Sequence, residues 1–196
     1  MTAKVESENL ALRLWFLTHR VRDLLRNCED QIFGEYNITT EQYAVLATMK
    51  CLDEPVRVTD IARGLERSPN SVSMMIDRMV TAGLVRRVRD RNDRRVVNVF
   101  ITDKGENALK PAILAGWEFI REILSPLSYE DRSTFVSLLE TLKYRAFKYL
   151  NPRGDVEEMK RNEITSQADL VERLLRYTST STPEAKRQGG KKRKAV

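Results

Sequence analysis

The sequence predicts a mostly α-helical protein built on a winged helix-turn-helix, with long N- and C-terminal dimerisation helices and a two- or three-stranded wing sheet. Three observations carry that prediction. Residues 56–105 contain two short helical patterns followed by two β-rich runs. The runs are joined by an Arg/Asp loop, Asp90-Arg91-Asn92-Asp93-Arg94-Arg95. Long amphipathic stretches lie on both sides of this block. A helix pair opening into a basic hairpin is suited to placing one helix in a DNA major groove with a loop of arginines beside it.

The elements follow in chain order. Leu10, Leu14, Leu17, Val21, Leu24, Leu25, Cys28 and Ile32 recur at helical spacing, so residues 1–37 read as a long N-terminal dimerisation helix. Residues 38–105 form the winged segment. Thr39 and Gln42, three apart, have the form of a capping box, and the helix they open turns Tyr43, Leu46 and Ala47 inward. Thr59 is the expected cap of the next helix, whose apolar stripe is Ile61, Ala62 and Leu65. Ser68 caps the helix after it, and Pro69 at the first helical position needs no N–H donor. In that helix Val72, Met75, Ile76, Met79 and Val80 are expected to face inward. Its opposite face carries Asn70, Ser71, Ser73, Met74, Asp77, Arg78 and Thr81, short side chains suited to base edges and phosphates. Gly83 sits where a helix end wants a residue with positive φ. Leu84–Arg89 and Val96–Ile101 are the β-rich runs.

Residues 106–150 read as C-terminal dimerisation helices. Leu109, Ile113, Gly116, Phe119, Ile120, Ile123 and Leu124 mark the first, in which Pro111 is expected to cause a kink or a delayed start. Ser128-Tyr129-Glu130-Asp131 caps the second, which carries Phe135, Leu138, Leu139, Leu142 and Phe147. Terminal helices flanking so small a domain lack partner surface within one chain, so burial against a second copy is expected. Asn151-Pro152-Arg153-Gly154 breaks the pattern, and 151–177 suggests one further amphipathic helix through Val156, Met159, Ile164, Ala168, Val171, Leu174 and Leu175.

Charge narrows the function. Between Leu84 and Val96 six arginines are offset by Asp90 and Asp93 alone. A hairpin edge kept soluble by charge would mix signs more evenly. A second reading, a winged-helix module that docks another protein without specific DNA binding, calls for exposed apolar anchors there instead. The candidate DNA-binding residues are Ser68, Asn70, Ser71, Ser73, Met74, Arg78, Arg91, Arg94 and Arg95. The net charge of +6 adds little, because the segment 178–196 supplies six of the basic residues and one acid. That segment is polar and aperiodic, reads as a disordered basic tail, and suits non-specific phosphate contacts.

The same residues resemble the MarR-type regulators of bacteria and archaea. Asp93-Arg94-Arg95 matches the family's D-x-R wing, and Ile101-Thr102-Asp103-Lys104-Gly105 matches the strand ending in Leu/Ile-Thr-x-x-Gly. Asp77-Arg78 leading into Gly83-Leu84-Val85-Arg86-Arg87 fits the run from recognition helix to wing, and the likeness spans roughly Asn9 to Leu150. The resemblance implies a homodimeric repressor on an inverted-repeat site in double-stranded DNA. It implies that Arg95 enters the minor groove and that Asp93 holds the wing's shape. It also implies release by a small anionic or aromatic effector where the first helix meets the winged domain. Trp15, Phe16, His19 and Arg22 are the candidate pocket, with dimer or core packing as the competing reading.

Other functions find little support. No phosphate-binding Gly loop, metal cluster or nucleophile with its base is evident, so the chain does not read as an enzyme and no cofactor or metal is implied. Cys28 and Cys51 lack basic neighbours that would activate a thiol, and His19 is the sole histidine. No apolar run is long enough to span a membrane and no signal-peptide core is present, so the expected location is the cytoplasm.

Overall fold

A computed structural model describes residues 2–90, 96–160 and 172–173. Its order is α1 (Thr2–Gly34), α2 (Thr40–Cys51), β1 (Val56–Arg57), α3 (Val58–Gly64), α4 (Pro69–Thr81), β2 (Val85–Arg89), β3 (Val97–Ile101), α5 (Asp103–Leu124) and α6 (Tyr129–Leu150). The strands form one antiparallel sheet in the order β1-β3-β2, with Val99 of β3 opposite Val56 on one side and Arg87 on the other. The wing sheet is therefore three-stranded. The two-residue β1 is too short to leave a periodic trace in the sequence.

Local chemistry sets most element ends. The Thr39 Oγ1 accepts from the Gln42 backbone N–H while the Gln42 Oε1 accepts from the Thr39 N–H, which closes the predicted capping box on α2. Ser68 accepts from the Ser71 N–H and Pro69 takes the first helical position of α4. Ser128 and Asp131 form a reciprocal box on α6. Two expectations are corrected. The cap of α3 is Arg57 rather than Thr59: the Asp60 carboxylate accepts from the Arg57 N–H at 3.1 Å, and Thr59 lies inside the helix. Pro111 does not delay α5, which starts at Asp103 under a Thr102 cap and runs on through the proline.

The core draws on α2, α3, α4, the sheet and the first half of α5. Leu46, Ile61, Val72, Ile76, Met79, Leu84, Val99 and Leu109 are fully buried in it. Met75 packs at its margin, but Val80 is 40% exposed, against expectation, because the buried arc of α4 centres on Val72, Ile76 and Met79. The end of α1 is pinned to this body by Phe33, whose ring stacks on Tyr43 at 3.9 Å between centroids. Gly116 of α5 lets that ring approach, since a Cβ there would sit 3.3 Å from it.

Beyond Phe33 the outer helices bury little. α1 has 33 residues, about 50 Å of helix. Its stripe Leu10, Leu14, Leu17, Val21 and Leu24 is exposed in the single chain. On α6, Phe135, Leu138, Leu139 and Leu142 are exposed too, and that helix has no buried residue. Past Asn151, residues 156–160 are helical, and Lys160 lies over the Tyr144 ring of α6 at 5.1 Å. Arg173 meets Asp53, just after α2, at 3.0 Å. The rest of the predicted 151–177 helix and the whole 178–196 tail lie outside the described residues. Among those described, no helix is long and apolar enough to cross a membrane.

The Tyr43 site has a pH signature. Burial, followed by the nearby Glu29 and Cys51, pushes its phenol up to about 12. The folded value lies above the unfolded one, about 10, so this contribution to stability is complete below pH ~10 and is lost as pH rises towards 12. The urea midpoint of the wild type should fall between pH 9 and 11.5 by more than that of Tyr43→Phe. Parallel pH profiles would show that Tyr43 is not shifted.

Candidate nucleic-acid interface

Helix α4 turns its outer face to solvent. Asn70, Ser71, Met74, Asp77, Arg78 and Thr81 are exposed, and Ser73 is half-buried at the flank next to the sheet. Ser68 sits at the N-terminal end, where its hydroxyl serves as the cap. The sequence-predicted residues of this helix are therefore brought together on one surface. Asn70, Met74 and Arg78 lie a turn apart in one row.

The sheet holds this face in place through a residue that sequence reasoning passed over. Arg87 projects from β2 and its Nη2 donates to the Ser73 carbonyl oxygen at 3.2 Å and to Ser73 Oγ at 3.0 Å. Its Nη1 lies 3.0 Å from the Asp77 carboxylate. One guanidinium thus spans a full turn of α4 and engages Ser73 and Asp77, leaving Asn70, Ser71, Met74 and Arg78 as the outward groups. The signal was available: strand alternation from Val85, which is buried, puts Arg87 on the same face, under α4. Arg86, on the other face, lies over the Phe100 ring at 4.7 Å, and Arg89 is exposed at the end of the strand.

The exit of α4 is tied down by the Thr-x-x-Gly segment. Gly83, at φ +74°, ends the helix, with its N–H donating to Val80 O and the Leu84 N–H donating to Met79 O, both at 2.9 Å. The exposed carbonyls that remain are met from the start of α5. Lys104 Nζ donates to Ala82 O at 2.8 Å. Thr102 Oγ1 lies 2.6 Å from Gly83 O and 3.0 Å from Leu84 O while accepting from the Gly105 N–H. Gly105 has to be glycine, because a Cβ there would stand 2.2 Å from Leu84 O.

Other predicted residues fall elsewhere. Arg91, Asp93, Arg94 and Arg95 lie outside the described residues. Trp15, Phe16, His19 and Arg22 share one stretch of α1. Trp15 meets His19 edge to face at 4.7 Å, Trp15 and Phe16 are exposed, and Arg22 pairs with the adjacent Asp23. A cleft of about 460 Å³ lies behind the sheet, between Leu52, Glu54, Phe100 and the Lys50–Glu106 ion pair. Burial pushes the Cys51 thiol up, against a smaller lowering from Arg173, which disfavours the thiolate. No metal-binding cluster occurs among the described residues.

Comparison with known proteins gives a consistent picture. The family model described as the MarR family matches residues 38–97. The HTH-type transcriptional regulator PecS of Dickeya dadantii is 30% identical over 122 residues, covering 61% of this chain and 74% of that protein. The HTH-type transcriptional repressor MdtR of Bacillus subtilis is 27% identical over 124 residues, 63% of this chain and 76% of its own. Among solved structures, reduced AbfR bound to DNA is 30% identical, with a TM-score of 0.57 over 73% of this chain and 99% of that one.

The junction at Gly105 can be tested directly. Gly105→Ala drives a methyl into the Leu84 carbonyl and should lower stability by about 1–3 kcal/mol, the scale of an overpacked core site. The urea midpoint should fall with an unchanged slope. A midpoint equal to that of the wild type would mean the contact between α5 and the end of α4 is loose.

Proposed function

The chain belongs to the MarR family of transcriptional regulators, and on that premise we propose that it binds an inverted-repeat site in double-stranded DNA as a homodimer. The family is one of regulators rather than enzymes. The observation that carries the proposal is the outer face of α4, where Asn70, Ser71, Met74 and Arg78 point away from the core while Arg87 fixes the helix to the sheet. In this reading α4 lies in the major groove and Ser68, at its N-terminus, faces the phosphates. Arg91, Arg94 and Arg95 of the wing reach the minor groove or its backbone, and Asp93 shapes the loop. A narrow A·T-rich minor groove concentrates negative potential and attracts such arginines.

Exposed apolar surface on α1 and α6 supports the dimer. The α1 stripe repeats every three to four residues and the α6 face repeats likewise, so each is ready to pack on a second helix. A two-fold interface buries both copies of both patches at once. The second copy would also wall in Trp15, Phe16, His19 and Arg22, giving an anionic or aromatic effector an aromatic surface beside a cation. A dimer seated on DNA excludes other proteins from the same stretch, so the sign of regulation is repression, as the name of the Bacillus subtilis relative states for that protein. Effector binding to a dimer of different α4 spacing would release it.

Binding-site selection on the full chain tests this reading. The selected motif should be an inverted repeat. Asn70→Ala should relax preference at one or two major-groove positions in each half. Arg95→Ala should weaken binding by about 1–3 kcal/mol, most on A·T-rich flanks. An unchanged motif and unchanged affinity in both variants would move the protein-docking reading ahead.

A further inference from the structure

The middle of the outward row on α4 is apolar. Met74 is 60% exposed, one turn after Asn70 and one turn before Arg78. A lone exposed methionine says little on an ordinary surface. Here its setting gives it weight. Ser73 and Asp77 are engaged by Arg87, and the Thr81 hydroxyl donates to the Asp77 carbonyl at 3.1 Å. Four outward side chains remain, three of a type that can donate hydrogen bonds and one, Met74, that cannot. The sheet fixes α4 from its flank, so the backbone positions of Asn70, Met74 and Arg78 are presented as a unit.

A polar groove floor offers a thioether few apolar partners. In the major groove the apolar group at the base edges is the C5-methyl of thymine. An unbranched, polarisable side chain can settle on a methyl without demanding one fixed geometry. Resting on the DNA-binding reading above, we propose that Met74 is a specificity-determining residue that packs on a thymine methyl in each half-site. It selects thymine over cytosine there by shape and burial rather than by hydrogen bonding. Asn70 and Arg78 then read or anchor the positions to either side.

Replacing thymine by deoxyuridine removes that methyl and leaves every hydrogen-bonding group in place, which isolates the contact. The probe is a duplex selected by the full wild-type chain from random sequence, with each thymine of the half-site replaced in turn and symmetrically. Burial of one methyl is equivalent to about 0.8 kcal/mol, about four-fold in each half-site, so a symmetric pair should cost the wild type roughly 15-fold in Kd at one position. Met74→Ala should bind the unmodified duplex more weakly and be indifferent to that replacement. Met74→Leu, which keeps an apolar reach, should remain sensitive. Absence of any methyl-sensitive position in the wild type, or equal sensitivity in Met74→Ala, would overturn the proposal while leaving the DNA-binding reading intact. If the wild type selected no duplex at all, that reading would fall and this inference with it.

Discussion

The junction at Thr102 and Gly105 is the contact on which the winged body depends. Three successive carbonyls at the end of α4, those of Ala82, Gly83 and Leu84, point away from the helix and need donors. Lys104 and Thr102 supply them from the start of α5, and glycine at 105 allows the backbones to meet. The same threonine hydroxyl caps α5. One short segment therefore ends the wing, starts the next helix and fixes where α4 stops. With Arg87 gripping the middle of α4 from β2, the helix is held at two separated points. Its outward row has a defined direction, which is what reading a base sequence requires.

That body sits between outer helices whose apolar faces are exposed among the described residues. Phe33 and Tyr43 connect α1 to the core, and Gly116 brings α5 into the same contact. In the proposed dimer the long helices set the distance between the two copies of α4. A ligand at Trp15 and His19 would act on that distance, not on the recognition surface itself. Arg173 of the C-terminal extension meets Asp53 in the loop after α2. The pair is exposed and worth about 1 kcal/mol or less.

Much of this was legible in the sequence where one residue acts alone on its own backbone. Thr39 with Gln42, Ser68 before Pro69, Ser128 with Asp131 and Gly83 each state an element boundary through a local hydrogen bond or a positive φ. What stayed hidden depends on partners distant in the chain. Arg87 looks like one wing arginine among six until the strand register places it under Ser73 and Asp77. The Thr-x-x-Gly segment is visible as a family resemblance, but its reason appears only when the Leu84 carbonyl is seen against Gly105. Thr59 is not the cap because Asp60 caps the helix from within, through the Arg57 N–H, and no side chain at the cap position announces it. Helical spacing alone puts Val80 inward, whereas the buried arc is narrower than the stripe of apolar residues. The wing tip, Arg91 to Arg95, remains an assignment from sequence.

The central claim is that two α4 helices, rigidly held, read two half-sites one helical turn apart. Varying the spacing between the half-sites of a selected duplex measures this. Half-site centres about 10–10.5 bp apart should bind most tightly. Inserting about half a turn, ~5 bp, should reduce binding to the non-specific level, because it rotates one half-site to the opposite side of the helix. Equal affinity at all spacings would contradict the account, since it would mean that each winged body binds on its own.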